Sequence, residues 1–230
     1  MTHFSVSRKF FPCLWELGIV PKFGGRRCFF DTFLVLGESM RCFVAIPLPP
    51  TITGGLSDCC LGFQRHDSAV RWVRAENLHI SLKFLGEVDP KKINEKFFEE
   101  STQLLAPFEP IPLSVRMLGQ FPPKGIPRVF WAGVTGEGVQ RLQEFSKTIE
   151  DFFERFGLPR EGRPYHPHVT LARLKTKPSS GLLRVWKEST DRTFGDFIAD
   201  CVTLFRSELT KGGAVYNVVR EFPLVFSSKK

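Results

Sequence analysis

Two tetrapeptides, His79-Ile80-Ser81-Leu82 and His168-Val169-Thr170-Leu171, each set a histidine and a hydroxyl two residues apart in an apolar, β-rich stretch. Successive side chains on a strand point to opposite faces. His79 with Ser81, and His168 with Thr170, therefore project together, while Ile80, Leu82, Val169 and Leu171 face a core. Two such strands facing each other across a cleft would bring to one phosphorus atom a base, an acid and two neutral hydrogen-bond donors. That set suffices for phosphodiester chemistry without a metal.

A lone histidine in a strand is most often a hydrogen-bonded structural residue. The pairing argues otherwise, because only five histidines exist and two fall at matching positions, each followed by a hydroxyl at i+2 and apolar residues at i+1 and i+3. An imidazole, with an unperturbed pKa of about 6.5, can sit neutral in one copy and protonated in the other near neutral pH. His166-Pro167-His168 also has the H-x-H spacing of metal hydrolases, but neither a third histidine nor a nearby carboxylate cluster completes such a site, so no metal or other cofactor is expected. His166 instead shapes the approach to the second motif. His3 and His66 lie in an unpatterned tail and a polar loop and carry no assigned role. The glycine turns Gly24-Gly25-Arg26-Arg27 and Lys211-Gly212-Gly213 lack the spacing of a Walker loop or a dinucleotide fingerprint. With no G-x-S-x-G elbow either, Ser81 and Thr170 read as donors to phosphate oxygens rather than nucleophiles.

The elements that would position these groups alternate along the chain. Arg41 to Pro47 reads as an opening strand, and Ile52, Leu56, Cys59, Cys60 and Phe63 recur at helical spacing over 51–65, against which Gly54 and Gly55 count. Val70-Arg71-Trp72-Val73 and Leu78 to Phe84 read as a hairpin-like pair of strands, the second carrying His79. Asp89-Pro90 opens a helix that buries Ile93 and Phe97 and ends at Pro107 and Pro110. Leu113 to Leu118 and Arg128 to Val134 follow as strands. The strongest helix comes next, with the stripe Val139, Leu142, Phe145, Ile149, Phe152, Phe153 and Phe156 and a stop at Gly157. After the His168 strand come a short helix near Leu182 to Lys187 and two strands, Phe197 to Glu208 and Ala214 to Phe222, joined by Lys211-Gly212-Gly213. Each half thus offers strands, helices and one His-x-Ser/Thr strand, which predicts an α+β fold of two pseudo-symmetric lobes whose antiparallel sheets face each other.

The 230 residues, 42% hydrophobic and 24% charged, have the balance of a globular protein. A net charge of +8 lends mild support to a polyanionic partner such as RNA. Six cysteines without a C-x-x-C pair or regular framework suit a reducing cytoplasm, and no run approaches the roughly 18 apolar residues of a membrane span. Residues 1–39 stand apart: phenylalanines and arginines are scattered without periodicity, and Pro12, Pro21 and Gly24-Gly25 interrupt any element. Pro12 and Glu16 break the apolar segment a secretory signal would need. The expectation is a poorly ordered, dispensable extension ahead of a two-lobed domain over 40–230, with a targeting peptide as the alternative.

The twin motifs, the Leu-Lys-Phe-Leu-Gly run after the first and the Leu-Ala-Arg after the second closely resemble the two-histidine phosphoesterase superfamily, in particular its RNA 2',3'-cyclic phosphodiesterase or 2'-5' RNA ligase branch. The likeness covers about residues 40–226, and the chain departs from the H-x-T-x pattern once, at Ser81, where the donor hydroxyl is kept. The resemblance implies a bilobal fold with both histidines in a central cleft, helices outside two antiparallel sheets, and opening of a terminal 2',3'-cyclic phosphate of RNA to a 2'-phosphate. By the same analogy His168 is the base and His79 the acid, with the direction open to exchange, and Phe84 and Arg173 sandwich the terminal base. In a regular strand both of those would face the core, so that role needs each strand to end or bend near them. The resemblance also implies an RNA partner, such as a tRNA fragment bearing a cyclic end, and a cytoplasmic, non-membrane monomer. The relatives suggest 2'-5' ligation of RNA or hydrolysis of a small cyclic nucleotide as further readings. A noncatalytic module gripping an RNA end is the rival from another class.

Overall fold

Among the described residues every strand pairing is antiparallel. The computed structural model describes residues 39–226; the expected extension otherwise lies outside the described residues. In chain order the elements are β1 Met40–Pro47, α1 Pro50–Gln64, β2 His79–Val88, α2 Glu95–Leu105, β3 Ile111–Phe121, β4 Val129–Thr135, α3 Val139–Arg155, β5 His168–Arg173, α4 Ser180–Glu188, β6 Thr193–Ala199, β7 Cys201–Thr210 and β8 Gly213–Pro223.

The helices follow their apolar stripes. In α1, Ile52, Leu56, Cys59, Cys60 and Phe63 are buried, and Gly54 and Gly55 fall on the exposed face. The stripe of α3 buries Leu142, Phe145, Ile149, Phe152 and Phe153, and Gly157 ends the helix at φ +72, a conformation that costs glycine nothing. Asp89-Pro90 does not open α2. The Asp89 carboxylate accepts from Lys91 N at 2.9 Å, which caps only a 3-10 turn over Pro90–Lys92; the helix begins after Asn94, whose side chain accepts from Phe97 N at 3.1 Å.

The strands form one sheet in the order β6-β3-β4-β5-β2-β1-β7-β8, where two separate sheets were expected. The join is slight, for β5 and β2 share only the pair Ile80–Val169. On the β6-to-β5 side, Trp186 of α4 stacks on Phe130 at 4.0 Å, with Phe63 of α1 4.9 Å away. On the β2-to-β8 side, α2 and α3 pack Phe97, Phe152 and Phe153 together.

Two further expectations are corrected. Val70 to Val73 does not form a hairpin with β2: Trp72 bridges Ala172 and Val73 N donates to Leu171 O at 2.7 Å, so the segment borders β5 instead. The strand expected over Phe197 to Glu208 is two, because the chain turns at Asp200 between β6 and β7, and these lie at different places in the sheet.

Candidate active site at the twin histidine strands

The single pair between β2 and β5 fixes the centre of the site. Ile80 and Val169 are wholly buried partners in an antiparallel register. The residues flanking them, His79 and Ser81 on β2 and His168 and Thr170 on β5, therefore emerge together on the opposite face, and all four are half-buried. The sequence placed these four residues in two strands; the sheet makes the strands neighbours.

Each imidazole is oriented by its own chain. His79 Nδ1 lies 2.8 Å from the carbonyl of Asn77, and His168 Nδ1 lies 2.7 Å from that of His166. A carbonyl only accepts, so each Nδ1 carries the proton and each Nε2 keeps its lone pair. On His79 that lone pair faces the Ser81 hydroxyl at 3.0 Å, and the hydroxyl donates. Asn77 is itself held by its side-chain amide, which donates to Ala214 O at 2.8 Å. His166 thus contributes through its backbone.

Both imidazoles are biased toward the neutral form. Burial pushes the His79 imidazole down to about 4, helped by the positive charge of Arg173 and by His168 and opposed by the Asn77 carbonyl. His168 is also lowered, again by burial first, against the His166 carbonyl and with Arg173 and His166 adding to the depression. Arg173 therefore sits within electrostatic reach of both rings.

Aromatic rings wall the two imidazoles on either side. Around His79 stand Phe43 at 4.9 Å between ring centres, Tyr216 edge-on at 5.5 Å and Phe205 at 6.4 Å. Around His168 stand Phe121 edge-on at 5.3 Å and Trp131 at 6.4 Å. Trp131 lies over Gly119, where an added Cβ would come within 2.1 Å of the indole, so this wall requires glycine in β3. None of these five rings was singled out from sequence. The only signal they left there was a high phenylalanine content.

Phe84 and Arg173 reach the histidine face because both strands are bulged at the same place. In β2 the register with β1 steps from Val44–Lys83 to Ala45–Ser81, skipping Leu82; in β5 the register with β4 steps from Phe130–Ala172 to Trp131–Thr170, skipping Leu171. Two consecutive residues then turn inward, Leu82-Lys83 in one strand and Leu171-Ala172 in the other, and the next residue turns out. Phe84 is 49% exposed and its ring lies 6.1 Å from that of Phe43. Arg173 is exposed as well. The bend that their expected role required is present in both strands.

Comparison with known proteins shows the chain's family. The family model described as the 2'-5' RNA ligase superfamily matches residues 63–210. The RNA 2',3'-cyclic phosphodiesterase of Methanocaldococcus jannaschii is 33% identical over 184 residues, covering 80% of this chain and all of that protein. The protein of the same name from Thermotoga maritima is 30% identical over 185 residues, covering 79% of this chain and 94% of its own. Among crystal structures, a Thermus thermophilus protein superposes with a TM-score of 0.66 at 28% identity, covering 80% of this chain and 98% of the other. Escherichia coli LigT complexed with 3'-AMP gives 0.58 at 26% identity, covering 81% and 99%. Likeness of sequence and of fold therefore converge, and the chain belongs to the 2'-5' RNA ligase superfamily.

Proposed function

We propose that this protein is an RNA 2',3'-cyclic phosphodiesterase, opening a terminal 2',3'-cyclic phosphate to a 2'-phosphate by acid–base catalysis between His79 and His168. The observation that carries the reading is the shared face of the two imidazoles, each with Nδ1 tied to a carbonyl and Nε2 turned away from it. The names of relatives that share 30 to 33% of their residues with this chain supply the substrate.

In this scheme water attacks phosphorus and loses a proton to one Nε2, while the P–O3' bond breaks and O3' takes a proton from the other. Ser81 and Thr170 donate to the nonbridging oxygens as charge builds, Ser81 leaving its contact with His79 to do so. His79, which burial pushes down to about 4, serves as the base and His168 as the acid, the reverse of the order drawn from the family likeness. The anionic phosphate raises the acid's pKa on binding. Phe84 and Arg173 take the terminal base by stacking and cation–π contact, and the net charge of +8 favours the RNA chain behind it.

The test is incubation of the purified protein with a 2',3'-cyclic-phosphate oligonucleotide in chelator, beside His79→Ala and His168→Ala, with identification of the product end. A 2'-phosphate from wild type, and turnover reduced about 10²–10⁴-fold in each variant, is expected. Binding without turnover would sink the enzyme reading, and activity abolished by chelator would replace it with a metal-dependent one.

A further inference from the structure

Lys83 is the charged side chain that the bulge in β2 turns into the core, and it is 1% exposed. Its ammonium meets Glu150 Oε2 of α3 at 2.6 Å and donates to Pro159 O at 2.8 Å. The same Glu150 oxygen accepts from Glu161 N at 3.2 Å, and the Glu161 carboxylate accepts from Phe84 N at 3.4 Å. From Pro159 and Glu161 the chain runs to His166, whose carbonyl orients His168. A closed circuit thus links the strand bearing His79 to the lead-in of the strand bearing His168. Backbone pairing supplies only Ile80–Val169 between those two strands.

Packing alone does not require this. The position corresponding to Lys83 in β5 is Ala172, equally buried and uncharged. Desolvating an ammonium is costly, and an apolar side chain of similar volume often fills such a space at no loss of stability. We propose that Lys83 is a positioning residue: through Glu150 and Pro159 it fixes the segment that aims His168 against β2, and through Glu161 it holds Phe84 at its outward register. The inference rests on the hydrolase reading above, since it gives His168 and Phe84 work to be positioned for.

The experiment pairs Lys83→Met/Glu150→Met with Glu161→Ala. Replacing both charges with apolar groups leaves no orphaned ion, so the double variant melts close to wild type. Its kcat on the cyclic-phosphate oligonucleotide nonetheless falls about tenfold, because a displaced general acid is costly even when the fold is intact. Imidazole nitrogen NMR of the unliganded protein shows the His168 resonances moved and those of His79 in place. Glu161 is exposed, so Glu161→Ala folds, and KM rises about fivefold with the loss of one hydrogen bond behind Phe84. A stable double variant with wild-type kcat and unmoved His168 resonances would overturn the proposal. If the double variant does not fold, a wild-type KM in Glu161→Ala overturns it. A wild type without turnover would count against the hydrolase reading alone, and the resonances of His168 would still judge the circuit.

Discussion

The two histidine strands share a plan and differ in their surroundings. Both begin at the histidine, bulge at the leucine three residues on and expose the residue five residues on. His79 is the deeper of the two, boxed by Phe43, Phe205 and Tyr216, with its Nε2 occupied by Ser81. His168 stands against Phe121 and Trp131, and its Nε2 makes no hydrogen bond to another described residue. The same short motif thus sits in two different surroundings, and burial and neighbouring charge, not the motif, set how easily each imidazole is protonated. A site that must take one proton and give another benefits from that asymmetry.

The largest effect expected from this contrast is on leaving-group dependence. With a p-nitrophenyl phosphodiester, whose leaving oxygen departs without a proton, His168→Ala should recover most of the roughly 10²–10⁴-fold it loses on the cyclic ester, while His79→Ala stays impaired on both. Steady-state rates on the two substrates decide, and a His79→Ala enzyme spared on the aryl ester would restore the opposite assignment. Next is the acid lability of the fold. The His79 pKa is near 4 when folded and about 6.5 when unfolded, so below pH 6.5 the unfolded chain binds the extra proton. Stability therefore falls as pH drops from 6.5 to 4, by about 3 kcal/mol from this residue. Urea titrations at pH 7 and 4.5 should show a smaller difference in His79→Ala than in wild type; an equal difference would place the lability elsewhere. The smallest effect separates the two outward residues. Phe84→Ala should raise KM for an oligonucleotide by about tenfold, a loss within the roughly 1–3 kcal/mol of a base stack. Arg173→Ala should in addition raise both histidine pKa values, read by NMR titration, because the guanidinium lowers both. An unchanged KM in Phe84→Ala would remove its stacking role.

Much of this was legible in the sequence wherever the physics is local. The i, i+2 pairing of His79 with Ser81 and of His168 with Thr170 follows from strand geometry, and the stripes of α1 and α3 follow from helical period. What escaped depends on partners distant in the chain. Strict alternation put Phe84 and Arg173 toward the core and gave no reason to bury Lys83; skipping Leu82 and Leu171 in the register reversed both results. Val70 to Val73 has the composition of a strand that pairs with its successor, yet its neighbour is Ala172, about a hundred residues on. Two lobes were inferred from two motifs, and the slender Ile80–Val169 contact that makes them one sheet has no signature of its own.

The order of the strands bears on how the protein is assembled. The half that carries His168 is built from β3, β4, β5 and β6, one uninterrupted stretch from Ile111 to Ala199, whereas the half that carries His79 needs β1 and β2 from the beginning and β7 and β8 from the end. On the ribosome the first set can complete its pairings while the second still waits for its last two ribbons. Tyr216, on the final ribbon, reaches His79 only then, so the pocket around the earlier-synthesised of the two motif histidines is the last to close.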